Sequence, residues 1–364
     1  MFLNIYKGRR VLVTGHTGFK GSWLTTWLLS LGSDVAGYSL DIPTKPSNFE
    51  VLGLMHRIQH IRGDVRDRDS LQRAFDLSKP EVVFHLAAQA ITRRSYDIPQ
   101  ETIHTNLMGT VNILECIRKS GSVKAAVIIT SDKCYQNVEW IWGYRESDRL
   151  GGEDPYSASK ACAEIACYSY VKSFFSKDGS PKISTARAGN VIGGGDWAID
   201  RIIPDCVRAF SKEEKLEIRN PKATRPWQYV LEPLSGYLWL SANLLQNNKK
   251  LVGEAFNFGP IGDVNRTVEE LISAFAKIWG NASWCISDKS NLAKKESTLL
   301  KLNCDKALYY LGWRTVLSFE ETIEMTANWY KAFYKNKKDM YDFTTEQIEE
   351  YTNLARRRGI VWTE

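Results

Sequence analysis

Short, almost wholly apolar segments alternate with amphipathic segments over the first half of the chain. Between residue 10 and about 185 the apolar segments are "VLVTG", "SDVAGYSL", "IQHIRGD", "EVVFHLAA", "AAVIITSD" and "KISTARA". The segments between them have the spacing of helices that are apolar on one face. Strands that are apolar on both faces are typical of a parallel sheet covered by helices on both sides. The pattern therefore predicts an α/β fold with a doubly wound parallel sheet.

After about residue 190 the alternation gives way to Gly-rich loops, mixed helices and Trp-rich stretches. This change indicates a smaller α/β lobe that closes over the carboxyl edge of the sheet. We therefore predict a first domain over residues 1–187 and a second over residues 188–364. Because no low-complexity linker separates them, we expect the two domains to be interleaved.

Three glycines, Gly15, Gly18 and Gly21, follow the first predicted strand and open a predicted helix. Residues without a Cβ let the backbone approach a pyrophosphate placed at the helix N-terminus. A glycine triplet alone is weak evidence, since glycines are also common turn residues. In this order of strand, turn and helix, it predicts a Rossmann domain that binds a dinucleotide.

Two acids follow the next two predicted strands. Asp41 lies 20 residues beyond Gly21, where an acid can accept a hydrogen bond from the adenosine ribose. Asp64 follows the third strand and could meet the adenine amino group. The carboxylate of Asp41 would repel a 2′-phosphate, so NAD is favoured over NADP, although Lys45 nearby keeps NADP as an alternative.

A tyrosine and a lysine share one face of a later predicted helix. Asp154 is a suitable N-cap and Pro155 suits the first helical position. Tyr156 and Lys160 are four residues apart, so the ammonium can lie near the phenol and lower its pKa. Such a tyrosine can take a hydroxyl proton while a nicotinamide takes a hydride. The alternative is a packing tyrosine beside a surface lysine.

Composition excludes several other classes of protein. The 364 residues are 43% hydrophobic and 25% charged, which is typical of a globular protein, and no stretch approaches the ~20 apolar residues of a membrane span. The net charge of +6 is scattered along the chain, which argues against a nucleic-acid partner. We expect no membrane partner.

The cysteines and the N-terminus bear on metal binding and location. Seven cysteines without a C-x-x-C pair predict a reduced protein with no metal site. The first residues show no apolar core followed by a cleavage site, so we expect a cytoplasmic protein.

Several motifs together resemble the extended short-chain dehydrogenase/reductase family, whose members act on nucleotide-linked sugars. They are the glycine turn, "HLAAQ" at 85–89, Ser131 and "YSASK" at 156–160, followed by "TRPWQYV" at 224–230 and "KLNCDKALYYLGW" near the end. The resemblance implies NAD as cofactor and a catalytic set of Ser131, Tyr156 and Lys160. It assigns further residues to the cofactor site: Phe19, Lys20, Val65, Ala87, Ala88, Gln89 and Asn106.

Within this family the segments 130–161 and 186–206 resemble the 4,6-dehydratases, and the resemblance implies CDP-glucose as substrate. A dehydratase must expel the C6 hydroxyl as water, and Asp132 is the acid that the resemblance implies, kept protonated by burial. Lys133 stands where more widespread dehydratases have a glutamate. A buried lysine readily loses its proton, so Lys133 would act as the base at C5 or stabilise an enolate. An ion pair that only caps the strand is the alternative.

The resemblance also implies how the nucleotide diphosphate is held. Asn190 and Arg225 are expected to contact it, and weaker candidates are Arg94, Arg201 and Arg219. Preference for cytosine rests on the resemblance alone. The family commonly forms dimers through the helix that contains Tyr156 and its neighbours, so we expect a homo-oligomer, either dimer or tetramer. The product would serve deoxysugar synthesis for lipopolysaccharide O-antigens.

Two other functions stay open on the sequence. An inverting UDP-N-acetylglucosamine 4,6-dehydratase also has Asp-Lys after this strand, but the "EWIWGYRE" insert at 139–146 favours the CDP-glucose type. A catalytically silent NAD-binding regulator is the alternative from another class. The intact set of Ser131, Asp132, Lys133, Tyr156 and Lys160 argues against it.

Overall fold

The computed structural model describes residues 1–218, 220–260, 265–286, 299–336 and 338–364. Seven strands form its central sheet: β1 (Arg10–Thr14), β2 (Asp34–Ser39), β3 (Gln59–Arg62), β4 (Val82–His85), β5 (Ala125–Ile129), β6 (Lys182–Ala188) and β11 (Ala255–Phe258). Every pairing is parallel, in the order β3-β2-β1-β4-β5-β6-β11. The first six strands form from the six predicted apolar segments, and the predicted doubly wound α/β fold is confirmed.

Helices cover both faces of this sheet. They are α1 (Phe19–Ser30), α2 (Asn48–Val51), α3 (Arg68–Ser78), α4 (Thr92–Asp97), α5 (Pro99–Ile103), α6 (Gly109–Lys119), α7 (Pro155–Phe174), α8 (Ile202–Phe210), α9 (Leu231–Leu245), α10 (Val268–Trp279), α11 (Asp305–Leu311), α12 (Phe319–Lys331) and α13 (Met340–Arg357). Successive side chains of a strand point to opposite faces. Val127 of β5 therefore packs into one core, while Ile128 packs into the other.

The second half of the chain contributes to the sheet of the first half. β11 pairs with β6, with Ala255 opposite Thr185, and α9 packs against β5 and β6. The two halves are thus interleaved in space. The boundary between residues 187 and 188 stays a prediction.

Three small strand pairs lie outside the central sheet. β7 (Val191–Ile192) pairs with β10 (Gln228–Tyr229), β8 (Leu216–Ile218) with β13 (Trp284–Ile286), and β9 (Thr224–Pro226) with β12 (Asn265–Thr267). These short pairs and α8 form the lobe beyond the carboxyl edge of the sheet, where a doubly wound fold binds its ligand. Across the described ranges, no helix is both long and apolar enough to cross a bilayer.

Candidate active site

The turn between β1 and α1 is built so tightly that a side chain has no room at two of its glycines. Gly15 has a φ of +75°, and a Cβ there would lie 2.7 Å from the backbone N of Ala87. A Cβ on Gly21 would lie 2.1 Å from the carbonyl O of Gly15. α1 begins after Gly18 without a capping side chain, so its first N–H groups have no intrahelical acceptor. This cradle fits the pyrophosphate of a dinucleotide.

The two acids predicted to hold the adenosine both lie beside arginines. The exposed Asp41 follows β2, and its Oδ1 accepts from Arg62 Nη2 at 3.3 Å. Asp64 follows β3 and accepts from Arg66 at 2.6 to 3.0 Å. Burial raises the pKa of Asp64, but its hydrogen bonds from Arg66 outweigh this and lower it. Asp41 therefore presents the more accessible carboxylate to a ribose, whereas Val65, also predicted at the cofactor site, is buried.

The loop after β4 carries Ala87, Ala88 and Gln89, and a buried asparagine holds it. The backbone N of Gln89 donates to Asn106 Oδ1 at 2.9 Å. Asn106 Nδ2 donates to the carbonyl O of Gln89 at 3.1 Å and to Ser159 Oγ at 2.9 Å. Asn106 was predicted at the cofactor site, and its amide ties the loop of that site to α7.

Directly after β5, Ser131 caps a short 3-10 turn over Asp132–Cys134. Ser131 Oγ accepts from the backbone N of Lys133 at 3.2 Å and donates to Asp132 Oδ1 at 3.0 Å. Burial raises the pKa of Asp132 despite the neighbouring Lys133 and the Ser131 hydrogen bond. A Cβ on Gly189 would lie 3.2 Å from Asp132 Oδ2, so this glycine leaves space for the carboxyl group. The site can thus hold an un-ionised acid.

Lys133 does not have the environment expected for it. Its side chain is only partly buried, whereas the expectation of a readily lost proton depended on burial. The expectation that Lys133 is buried is therefore wrong. The 3-10 turn directs Asp132 inward and leaves Lys133 nearer the surface. A role in supporting negative charge stays compatible with this position.

Tyr156 and Lys160 lie on the buried face of α7, which begins as predicted with Asp154 as N-cap and Pro155 in the first turn. Lys160 Nζ donates to the carbonyl O of Ile129 at 3.2 Å. Burial raises the pKa of Tyr156 to about 12, partly offset by the Ser131 hydroxyl. The expected lowering of this pKa is therefore wrong for the chain alone, because desolvation disfavours the phenolate.

Two further cations line the same cleft. Burial lowers the pKa of Lys20 to about 8, as do the nearby charges of Arg201 and Lys160. Burial similarly lowers the pKa of Lys160 to about 8. Arg201 Nη1 donates to Asp196 Oδ2 at 2.8 Å. Because cations are concentrated here, the cleft is suited to an anionic ligand.

The other predicted substrate residues that the structure describes differ in burial and in their hydrogen bonds. Asn190 follows β6, and its carbonyl O accepts from the backbone N of Gln228 at 3.1 Å. Arg225 is partly buried on β9, and its Nη1 donates to the carbonyl O of Thr224 at 2.8 Å. Arg94 lies on α4 and is exposed. Arg219 lies outside the described residues.

Phe19, predicted at the cofactor site, packs toward the second lobe. A Cβ on Gly193 would lie 3.2 Å from Phe19 Cζ and 2.8 Å from Val230 Cγ1. This glycine therefore lets the loop after β7 lie against the first turn of α1. The close approach joins the cofactor cradle to the second lobe.

Sequence reasoning missed an ion pair behind the site, between Glu164 of α7 and Arg187 of β6. Glu164 lies one helical turn after Lys160, and Arg187 stands in the apolar segment "KISTARA". A charged residue inside a strand that is buried on both faces must be paired, and this was the available signal. Arg62 was missed as well, because nothing local indicates its approach to Asp41.

Metal binding has no support in the described parts of the chain. Within them, no group of three or more His, Cys, Asp or Glu side chains could hold a metal ion. All seven cysteines are free thiols. Cys134, adjacent to the site, is fully buried, and burial raises its pKa.

A doubly wound sheet with this glycine turn and a Ser-Tyr-Lys set at its carboxyl edge is the architecture of the extended short-chain dehydrogenases/reductases, as the motifs predicted. The chain belongs to the GDP-mannose 4,6 dehydratase family, whose family model matches residues 12–326. It is 45% identical to a CDP-glucose 4,6-dehydratase of Salmonella typhimurium over 97% of this chain and 99% of the relative.

Solved structures agree on the fold. A UDP-glucuronic acid 4-epimerase from Bacillus cereus, crystallised with UDP-glucuronic acid and NAD, is 25% identical with a TM-score of 0.75, covering 89% of this chain and 99% of that one. A dTDP-glucose 4,6-dehydratase from Streptomyces venezuelae with NAD bound is 23% identical with a TM-score of 0.74, covering 90% and 100%.

Proposed function

We propose that this protein is an NAD-dependent CDP-glucose 4,6-dehydratase, a hydro-lyase that converts CDP-glucose to CDP-4-keto-6-deoxyglucose and water. The observation that carries the proposal is the buried Asp132, whose raised pKa provides an acid beside the Ser-Tyr-Lys set. An epimerase has no use for such an acid. The 45% identity to the Salmonella enzyme over almost the whole chain supports CDP-glucose as the substrate.

The glycine cradle, Asp41 and the loop that carries Ala87 and Ala88 would hold the NAD. Lys20 and Lys160 contribute positive charge to this cleft. When bound, NAD⁺ supplies the acceptor for the C4 hydride and the source of the hydride that reaches C6. Because the hydride returns within one turnover, the reaction needs no outside oxidant.

Tyr156 takes the proton of the 4-hydroxyl group in the first step. The Ser131 hydroxyl helps, because it lowers the pKa of Tyr156 against the opposing effect of burial. The positive charge of Arg201 also favours the charged form, and Lys160 is proposed to add to this effect. The resulting 4-ketone acidifies C5, which makes the next step possible.

Asp132 then donates its proton to the departing C6 oxygen as water is eliminated. Burial raises the pKa of this carboxyl group, which favours the protonated form that can donate. Lys133 removes the C5 proton, or a partner residue does so while Lys133 stabilises the enolate by its charge, and a proton returns to C5 when the hydride reaches C6. Asn190, Arg201 and Arg225 hold the nucleotide diphosphate, with Arg94 and Arg219 as further candidates.

The test is incubation of the pure protein with NAD⁺ and a panel of CDP-, dTDP- and UDP-sugars, analysed by mass. We expect CDP-glucose to lose one water with no net accumulation of NADH absorbance. Water loss from dTDP-glucose but not from CDP-glucose would reject the substrate and retain the chemistry. Absence of water loss from every sugar would reject the dehydratase function.

We also propose that the protein acts in the cytoplasm as a homo-oligomer that supplies deoxysugars for lipopolysaccharide O-antigens. Ile165 and Tyr168 on α7 and Ile103 and Met108 near it are each at least 40% exposed. Apolar side chains grouped on neighbouring helices are suited to a partner copy. Replacing Ile165 by aspartate is expected to yield monomers in analytical ultracentrifugation, and an unchanged mass would contradict this interface.

A further inference from the structure

Behind the active site, Glu164 of α7 and Arg187 of β6 form an ion pair that is almost completely buried. Arg187 Nε donates to Glu164 Oε1 at 2.9 Å, and its Nη2 donates to Oε2 at 2.9 Å. The side chains are 3% and 4% exposed. Removing two charges from water costs about as much as their attraction returns. Stability alone therefore does not account for the pair.

The pair contacts both ends of the active-site segment, which we define as residues 130–135. At one end the Thr130 hydroxyl donates to Glu164 Oε1. At the other end Arg187 Nη1 donates to Tyr135 Oη at 2.7 Å. The arginine also stacks on that ring, 4.8 Å from its centroid. Ser131, Asp132 and Lys133 lie between these two contacts.

The same pair is attached to the helix that carries the catalytic tyrosine. Glu164 is eight residues after Tyr156 and four after Lys160, so the three side chains share one face of α7. Burial raises the pKa of Glu164, but Arg187 and the hydroxyl hydrogen bonds outweigh it and lower the pKa. The carboxylate therefore stays ionised and keeps its contacts at neutral pH.

The contacts continue into the second half of the chain. Tyr135 Oη donates to Asn257 Oδ1 at 2.8 Å. Asn257 lies on β11, and its Nδ2 donates to the carbonyl O of Asn303 at 3.0 Å. A connected set of buried hydrogen bonds holds its members in one arrangement. The active-site segment is thus held from α7, β6 and β11 together.

We propose that Glu164 and Arg187 are positioning residues, which fix the carboxyl group of Asp132 relative to the phenol of Tyr156 through Thr130 and Tyr135. This inference rests on the proposed function, because it concerns the geometry of the elimination. The same sugar must meet the phenol at C4 and the acid at C6. A displacement of one group relative to the other therefore lowers turnover more than it lowers binding.

Two threonines allow a matched test of this role. Thr130 and Thr185 each donate to a different oxygen of the same Glu164 carboxylate, Thr185 to Oε2 at 2.7 Å. Thr130 belongs to the active-site segment, whereas Thr185 lies on β6 away from it. Replacing either one by valine removes one hydrogen bond to the same buried carboxylate with little change in shape, and for Thr130 it also removes a longer bond, of 3.5 Å, to the carbonyl O of Ala186.

For Thr130→Val we expect kcat to fall by ~10-fold or more with KM within about twofold of the native value. For Thr185→Val we expect both constants to stay within about twofold, with a similar loss of melting temperature in the two variants. Tyr135→Phe, at the other end of the segment, should resemble Thr130→Val. Equal loss of kcat in both threonine variants, or unchanged kcat in Thr130→Val, would overturn the proposal.

Crystal structures of the two threonine variants give a readout that does not depend on the substrate. We expect the Asp132 carboxyl group to be displaced in Thr130→Val and unmoved in Thr185→Val. An unmoved Asp132 in both variants would overturn the positioning role. If the native protein dehydrates no nucleotide sugar, the proposed function is rejected. The crystal structures of the two variants would still test whether Glu164 and Arg187 position Asp132.

Discussion

The Ser131 hydroxyl donates a hydrogen bond to Asp132 Oδ1 at 3.0 Å. The bond joins a residue of the proposed hydride-transfer set to the acid proposed for the loss of water. The same hydroxyl also favours the phenolate of Tyr156. In the proposed mechanism, oxidation at C4 and elimination at C6 therefore both depend on one short stretch of chain after β5.

Replacing Asp132 by asparagine should preserve nucleotide-sugar binding but remove the acid. We expect water loss to slow by ~10²- to 10⁴-fold, the range typical of general acids. NADH absorbance at 340 nm should then rise, because oxidation at C4 proceeds without elimination. Glu153→Gln, which changes an exposed carboxylate, is the control. Turnover at the native rate in Asp132→Asn would show that Asp132 is not the acid of the elimination.

Replacing Ser131 by alanine should change the pH dependence of turnover. The Ser131 hydroxyl lowers the pKa of Tyr156, so its removal raises that pKa. Because the proton is taken by the phenolate, the rising limb of kcat/KM against pH should move to higher pH. Ser78→Ala, which removes a hydroxyl bonded within α3, should leave the profile unchanged. A profile that does not move in Ser131→Ala would contradict the assignment.

Replacing Gly15 by alanine should loosen the cofactor cradle. The residue has a φ of +75°, and the new Cβ would lie 2.7 Å from the backbone of Ala87. We expect a loss of about 1–3 kcal/mol in the free energy of unfolding and weaker NAD binding by calorimetry. Gly121→Ala is the control, because its Cβ meets nothing within 4 Å. Equal NAD affinity in the two variants would contradict the proposal that the glycine turn binds NAD.

Glu232 should make stability depend on pH. Its buried carboxylate accepts from the backbone N of Val316 and Leu317 and from Tyr351 Oη, yet burial raises its pKa from 4.5 to about 7. The folded state therefore binds this proton more tightly than the unfolded state. This contribution to stability is full below pH ~4.5 and is lost as the pH rises through about 7.

Glu232→Gln removes this titration and serves as the comparison. As the pH rises from ~4.5 to 7, the unfolding free energy of the native protein should fall relative to that of Glu232→Gln. The whole change should be on the order of 3 kcal/mol. Urea titrations across that range measure it. A constant difference would show that Glu232 titrates at its ordinary pKa.

Local patterns in the sequence were enough to predict much of the site. The glycine turn, the N-cap of α7 and the spacing of Tyr156 and Lys160 depend on neighbours within a few residues. The apolar segments predicted β1 to β6 because a parallel sheet covered on both faces needs continuous apolar strands. The contact of β11 with β6 joins positions 70 residues apart along the chain, as in Ala255 opposite Thr185, and no local pattern indicates it.

The sequence by itself determined the fold class, the glycine turn and the set of proposed catalytic side chains, since each follows from residue type and short spacing. Only the tertiary structure decided how those side chains ionise and what holds them. Burial disfavours the phenolate of Tyr156, whereas Lys133 is only partly buried. The sequence does not show this, because desolvation depends on which distant elements cover a group. The pairing of Glu164 with Arg187 was decided in the same way, because two buried charges must find each other across the folded core.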